Sequence, residues 1–129
     1  MADADYVLDA SALLAIAFRE PGGEIAVRRM ASACVSAVNY SEACAKMVDK
    51  GFGPEEAFGW LEALRLDVVG FDRPEAAHAA ALRQATRTKG LSFADRACIA
   101  LAAQRKATAI TTDRAWAGLD LPCSVELIR

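Results

Sequence analysis

Histidine is almost missing from this 129-residue chain: His78 stands alone, and the four cysteines, Cys34, Cys44, Cys98 and Cys123, are dispersed with no CxxC pair. A zinc site needs clustered thiolates or imidazoles, so this pattern argues against one. Unpaired, scattered thiols fit a reducing cytoplasm better than a disulfide framework. A surplus of positive charge is also missing, with 15 Lys and Arg against 17 Asp and Glu and a net charge of −2. No bulk basic field draws nucleic acid, and any grip on RNA phosphates must come from local Lys or Arg. No apolar run reaches the roughly 20 residues that a bilayer-spanning helix requires. Met1 to Asp5 is acidic where a secretory leader needs a basic start, so neither a leader nor a membrane segment is expected. Repeats, low-complexity tracts and linkers are absent too, which leaves a single domain over residues 1–129.

What is present is an alanine-rich, 54% hydrophobic chain in which short apolar runs alternate with helical stretches. Tyr6 to Leu8 reads as a strand, Asp9-Ala10-Ser11 as a polar turn, and Ala12 to Phe18 as a helix broken by Pro21-Gly22-Gly23. A helix over Glu24 to Ala31 leads to a strand at Ala33 to Ser36, then helices at Asn39 to Lys50 and Glu55 to Leu64 form a hairpin around Gly51 to Pro54. Asp67 to Phe71 is a third strand, and Arg73 to Thr88 a long helix stopped at Lys89-Gly90. Ser92 to Gln104 is another helix, Ala107 to Thr111 a fourth strand, Arg114 to Ala117 a short helical turn, and Ser124 to Ile128 a fifth strand. Alternation of this kind predicts an α/β fold, a three-layer α/β/α sandwich around a short parallel sheet with right-handed crossovers.

Open parallel sheets collect their ligands outside the carboxyl ends of the strands. Asp9 and Asp113 directly follow the first and fourth strands, Glu42 lies just beyond the second, and Asp95 lies in the first turn of the helix feeding the fourth. Each sits near a helix N-terminus, where free N–H groups favour an anion. Each also has a purely local explanation. Ser92-Phe93-Ala94-Asp95 matches a capping box, Asn39-Tyr40-Ser41-Glu42 is a related form with Asn39 as cap, and Asp9 and Asp113 could be simple caps. Asp72 before Arg73-Pro74-Glu75 is as good a cap and carries no chemistry. The set argues beyond its members, because carboxylates gathered in one crevice repel one another and a hard divalent cation relieves that repulsion. Mg²⁺ takes oxygen ligands and keeps several waters, so acids suffice without His or Cys. Such an ion can bind a phosphodiester, activate water and neutralise the leaving oxygen, with no protein nucleophile.

Four segments carry a resemblance: Val7-Leu8-Asp9-Ala10-Ser11-Ala12-Leu13-Leu14, Val35-Ser36-Ala37-Val38-Asn39-Tyr40-Ser41-Glu42, Leu91-Ser92-Phe93-Ala94-Asp95-Arg96-Ala97-Cys98-Ile99-Ala100, and Ile110-Thr111-Thr112-Asp113-Arg114. In this order they resemble the PIN-domain nucleases, and most closely the VapC-type toxins of bacterial toxin–antitoxin pairs. The resemblance implies a PIN-like fold and an endoribonuclease using Mg²⁺ or Mn²⁺ held by Asp9, Glu42, Asp95 and Asp113, with Asp9 and Asp95 as direct ligands. Ser11 and Thr111 would support those acids, although helix capping or turn formation explains Ser11 as well. It implies also an RNA substrate such as tRNA or ribosomal RNA, a homodimer, and a cognate antitoxin whose C-terminal segment covers the site.

Arg96 and Arg114, adjacent to two of the acids, are the candidates for RNA phosphate contact, whereas Arg83, Arg87 and Lys89 read as a solvated helix face. Phe58 and Trp60, with Tyr40 and Met47, suit core packing better than a partner groove, and His78 among alanines reads as an ordinary helix residue. Two other functions compete. A metal-dependent phosphatase or phosphoacceptor domain would usually pair acids at the first strand, but Asp9 is followed by Ala10 and Ser11. A non-catalytic RNA- or protein-binding module of the same fold would be marked by loss of an acid, and none of the four is lost.

Overall fold

Three central strands deal their side chains alternately to two cores. In the computed structural model, which describes residues 4–129, β1 (Tyr6–Leu8), β2 (Ala33–Ser36) and β4 (Thr108–Thr111) lie side by side. Leu8, Val35 and Ile110 enter one core with Leu13, Met47 and Leu61, while their neighbours Val7, Cys34 and Ala109 enter another with Cys98, Ile99 and Trp116. A strand buried on both faces must be apolar at consecutive positions, which is why these runs do not alternate with polar residues. The first three residues of the Met1–Asp5 reading lie outside the described region.

The helices follow from that division. On one face lie α1 (Ala10–Ala17), α2 (Gly23–Arg29), α3 (Ala37–Asp49) and α4 (Pro54–Ala63); on the other lie α5 (Arg73–Ala81), α6 (Arg83–Thr86) and α7 (Phe93–Arg105). With β3 (Asp67–Val69) and β5 (Ser124–Leu127), the sheet has the order β3-β2-β1-β4-β5 and every pairing is parallel, in register at Val7 with Cys34 and at Val7 with Ala109. The α/β/α sandwich read from the alternation is present. Chain progress runs outward from β1 to β3, then resumes on the other side of β1, so the crevice at the carboxyl end of β1 lies where the strand order reverses. Asp9 stands at that point. The Pro21-Gly22-Gly23 break also has a packing role: a Cβ on Gly23 would stand 2.6 Å from the Ala15 carbonyl oxygen, so α1 and α2 pack this closely only over a glycine.

Three local expectations need correction. The long helix over Arg73 to Thr88 is divided at Leu82, and a 3₁₀ turn, Arg87–Lys89, precedes Gly90 at φ +66°. The guanidinium of Arg96 enters the ladder at this division, donating to the Ala79 carbonyl at 2.9 Å, and the Thr86 hydroxyl donates back to the Leu82 carbonyl at 2.8 Å. Both kinds of insertion bend or interrupt helices. The third strand stops at Val69, short of Phe71. Lastly, α3 starts at Ala37 with Ser36 as its cap, the Ser36 hydroxyl accepting from the Val38 N–H at 3.2 Å. Asn39 therefore caps nothing and lies inside the first turn.

Candidate active site

Asp9 occupies the N-cap position of α1, yet its carboxylate makes no capping bond. It is only 3% exposed, and its Oδ2 accepts from the hydroxyls of Ser11 at 2.7 Å and Thr111 at 2.9 Å. Each hydroxyl in turn accepts a backbone N–H, Ser11 from Thr112 at 3.0 Å and Thr111 from Asp113 at 3.1 Å. A hydroxyl has one proton to give. With both protons committed to Asp9, the 3.2 Å approach of Ser11 Oγ to Thr111 Oγ1 is a contact between acceptors. The expected support from Ser11 and Thr111 thus takes a definite form, two oriented hydroxyls on one carboxylate oxygen.

The other oxygen, Oδ1, accepts from Asn39 Nδ2 at 3.3 Å, and the same Nδ2 donates to the Ala94 carbonyl at 2.9 Å. Two acceptors on one nitrogen leave no choice of amide orientation. Asn39 is fully buried and its Oδ1 has no hydrogen-bond partner. Sequence reading missed this residue as part of the site, because three residues before a glutamate an asparagine looks like a cap.

The charges of Asp95 and Glu42 reach Asp9, and that of Asp113 reaches Asp95. Asp95 does form the anticipated capping box: the Ser92 N–H donates to Asp95 Oδ2 at 2.8 Å, and the Asp95 N–H donates to Ser92 Oγ at 3.2 Å. That bond engages Oδ2 and leaves Oδ1 for other work. Asp113 also caps as its position allows, its Oδ1 accepting from the Ala115 N–H at 2.9 Å. Glu42, half-buried on α3, caps nothing. The local explanation therefore holds for Asp95 and Asp113, while Asp9 and Glu42 have no capping role.

Electrostatics links the four. Burial, opposed by the Ser11 and Thr111 hydrogen bonds and reinforced by the charges of Asp95 and Glu42, pushes the Asp9 carboxyl up to about 6. Burial is also the main reason that Glu42 and Asp95 lie above the ordinary carboxylate range; Asp95 raises Glu42 further, Asp113 raises Asp95, and Lys46 pulls both down. The ion pairs among the described residues, Arg29 with Glu126 and Arg129 with Glu20, involve none of these acids. A nearly inaccessible carboxylate faces three neutral donors and other carboxylates, with no cationic partner.

That arrangement fits a hard divalent cation. The donors are oxygens throughout, and the buried, unpartnered Asn39 Oδ1 adds a free acceptor beside them. Among the described residues no three acids converge closely enough to enclose an ion by themselves. Mg²⁺ and Mn²⁺ favour such a partial cage, since one or two carboxylates with several waters complete the octahedron.

Of the two arginines expected to meet RNA, Arg96 is half-buried, bonded to Ala79 on α5, and set over the Phe93 ring at 5.9 Å. Arg114 is exposed at the start of the turn after Asp113. In the helical hairpin Met47 is core, whereas Phe58 is 51% exposed and meets Tyr40 edge-on at 6.1 Å, with the Tyr40 hydroxyl donating to Glu62 at 2.7 Å. His78 is exposed on α5.

A family model described as "PIN domain" matches residues 6–120. No curated protein matches the chain in sequence. Among solved structures, the chain is similar to a DNA-bound VapBC from Salmonella typhimurium, at 19% identity and a TM-score of 0.75, covering 98% of this chain and 99% of that one. It is similar also to a toxin–antitoxin complex from Klebsiella pneumoniae, at 16% identity and a TM-score of 0.73, over 96% and 98% of the two chains. A third, the VapBC-5 toxin–antitoxin system of Mycobacterium tuberculosis, has 23% identity and a TM-score of 0.64, over 97% and 98%.

Proposed function

The chain belongs to the PIN-domain family, and from that premise we propose that it is a Mg²⁺- or Mn²⁺-dependent endoribonuclease, the toxin of a toxin–antitoxin pair. The observation that carries the reading is Asp9: a carboxylate 3% exposed at the strand-order reversal, held by Ser11, Thr111 and Asn39, flanked by other acids, and without a cation of its own. Burying an uncompensated carboxylate is costly. A site that carries this cost is poised for a positive ligand.

In this reading Asp9 and Asp95 hold the cation, Glu42 and Asp113 complete its surroundings, and Ser11 and Thr111 fix the Asp9 carboxylate in one orientation. When bound, the cation supplies charge neutralisation at the scissile phosphodiester and acidifies water. Asn39 ties Asp9 to the first turn of α7 through the Ala94 carbonyl, so the two ligand-bearing elements keep their spacing when substrate arrives. RNA, of the structured tRNA or ribosomal kind, is the substrate; the enzyme acts in the cytoplasm as a homodimer, and a cognate antitoxin silences it by covering the acids. The partner part of the reading is supported by similarity to chains from VapBC and other toxin–antitoxin complexes. Among the described residues no helix is long and apolar enough to cross a membrane.

The test is incubation of the purified chain, freed of bound partner, with total cellular RNA, with and without Mg²⁺ or Mn²⁺, beside an Asp95→Asn control of equal thermal stability. Discrete fragments requiring both the metal and Asp95 are expected. Absence of cleavage by a folded preparation under every metal would replace the nuclease with a non-catalytic binding module.

A further inference from the structure

Acids gathered at the carboxyl end of the sheet repel the polyanion that this reading brings to them, and the net charge of −2 gives no compensating field. Some local cation must offset that repulsion at the rim. Arg96, the neighbour of Asp95 in sequence, is turned to the Ala79 carbonyl on α5. Lys46 is placed differently. It lies four residues after Glu42 on α3, and residues so spaced share a helix face. Its charge acts on Glu42 and also on Asp95, which belongs to α7 across the crevice. Its side chain is exposed and makes no ion pair among those of the described residues.

We propose that Lys46 binds a backbone phosphate of the RNA strand as it enters the acidic crevice. A lysine ammonium is a compact charge with three donors on a flexible stem, suited to a phosphate whose exact orientation varies along a single strand. Anchored on α3 one turn from Glu42, it offers its charge at the rim, beside the acids and clear of their ligand positions. The inference rests on the nuclease reading.

The test uses a single-stranded oligoribonucleotide that the wild type cleaves, with kcat and KM measured across a salt series at fixed Mn²⁺ for wild type, Lys46→Ala, Lys46→Arg and Lys50→Ala. Losing one phosphate contact on a single strand should make the plot of log affinity against log salt shallower by about 0.7. For Lys46→Ala we expect that change, with KM raised about ten-fold at low salt, the worth of one charge-assisted hydrogen bond, and kcat nearly constant. Lys46→Arg should keep the wild-type slope. Lys50→Ala, the same charge change one turn further along, should move KM far less. An unchanged slope for Lys46→Ala in an enzyme that cleaves, an equal effect from Lys50→Ala, or a fall in kcat at constant KM would each overturn the proposal and leave the nuclease reading intact. A folded wild type that cleaves no RNA overturns both. Mn²⁺ affinity, read by titration without RNA, should be unchanged or higher in Lys46→Ala, since a nearby cation opposes the metal; a loss would show that Lys46 organises the carboxylates instead.

Discussion

Asn39 reaches from α3 to Asp9 with an amide nitrogen 3.3 Å from Oδ1, and with the same nitrogen holds the Ala94 carbonyl at 2.9 Å. One side chain thereby joins the end of β1, the start of α3 and the start of α7, the elements that carry Asp9, Glu42 and Asp95. Among the described residues no other side chain hydrogen-bonds across these three elements. The reversal in strand order opens the gap between these elements, and Asn39 bridges it.

Replacing Asn39 with alanine should therefore act on both stability and metal binding. The variant strands one buried acceptor, Asp9 Oδ1, and takes a second donor from the Ala94 carbonyl, which keeps its place in the α7 ladder; an unsatisfied buried group costs about 1–3 kcal/mol. It also removes the unpartnered Asn39 Oδ1, which offsets part of the loss. A net destabilisation of about 1–3 kcal/mol in urea unfolding is expected, with weaker Mn²⁺ binding in titration. Wild-type Mn²⁺ affinity in the folded variant would show that Asn39 serves packing alone.

Asp9→Asn should stabilise the metal-free protein while removing its activity. Burial raises the folded carboxyl from 3.8 to about 6, so between those values the folded state holds more protons than the unfolded one. Stability then falls as pH rises through that window, and the full penalty applies above about pH 6, where the gap corresponds to about 3 kcal/mol. Asparagine removes the charge at nearly constant shape, although the Ser11 and Thr111 hydroxyls must reorient around the new amide. In the presence of a chelator the variant should unfold about 1–3 kcal/mol later than wild type at pH 7. That advantage should vanish near pH 4. A variant less stable than wild type at pH 7 would mean that the hydroxyl and amide donors outweigh the burial cost.

How far these residues could be read beforehand depends on what each one does locally. The placement of Asp9, Glu42, Asp95 and Asp113 toward one edge of the sheet was visible because short apolar strands mark their own ends, and the carboxyl ends of parallel strands form one edge. The orientation of Asp9 was not visible, since no sequence pattern distinguishes a carboxylate that caps a helix from one that sits at a cap position and turns inward. Asn39 was hidden for a related reason: three residues before Glu42 it imitates a cap, whereas the real cap is Ser36. Arg96 shows the weakness of adjacency. Consecutive helix residues point about 100° apart, so if Asp95 faces the crevice its neighbour faces elsewhere, here α5. Helical spacing from Glu42 points instead to Lys46.

Arg96→Ala should consequently be a stability variant. Its guanidinium supplies the Ala79 carbonyl with a charged donor where the helix after α5 is interrupted, and it covers the Phe93 ring. Loss of that hydrogen bond and packing should cost about 1–3 kcal/mol. KM for RNA, measured well below the melting temperature, should stay within about two-fold of wild type, short of the loss of a charge-assisted contact. A ten-fold rise in KM at unaltered stability would restore Arg96 as a phosphate-binding residue.

Metal removal gives the remaining prediction, and it needs no RNA. If a divalent cation offsets the repulsion among Asp9, Asp95 and Glu42, it binds the folded state far better than the unfolded chain, which has no such crevice. Thermal stability should then rise with cation concentration, by about 2.7 kcal/mol at one hundred times the dissociation constant. Chelation should reverse it fully. The gain in wild type should be largest above about pH 6, where Asp9 is ionised in the metal-free protein, and should shrink as pH falls and protons compete for the same carboxylates. Asp9→Asn should show little of it at any pH, because its cluster begins with one charge fewer and without the buried anion. Scanning calorimetry with Mn²⁺ at pH 5 and pH 7.5, on wild type and Asp9→Asn, reads all four conditions. Equal stabilisation of both proteins would place the cation elsewhere on this acidic chain and detach the metal from Asp9.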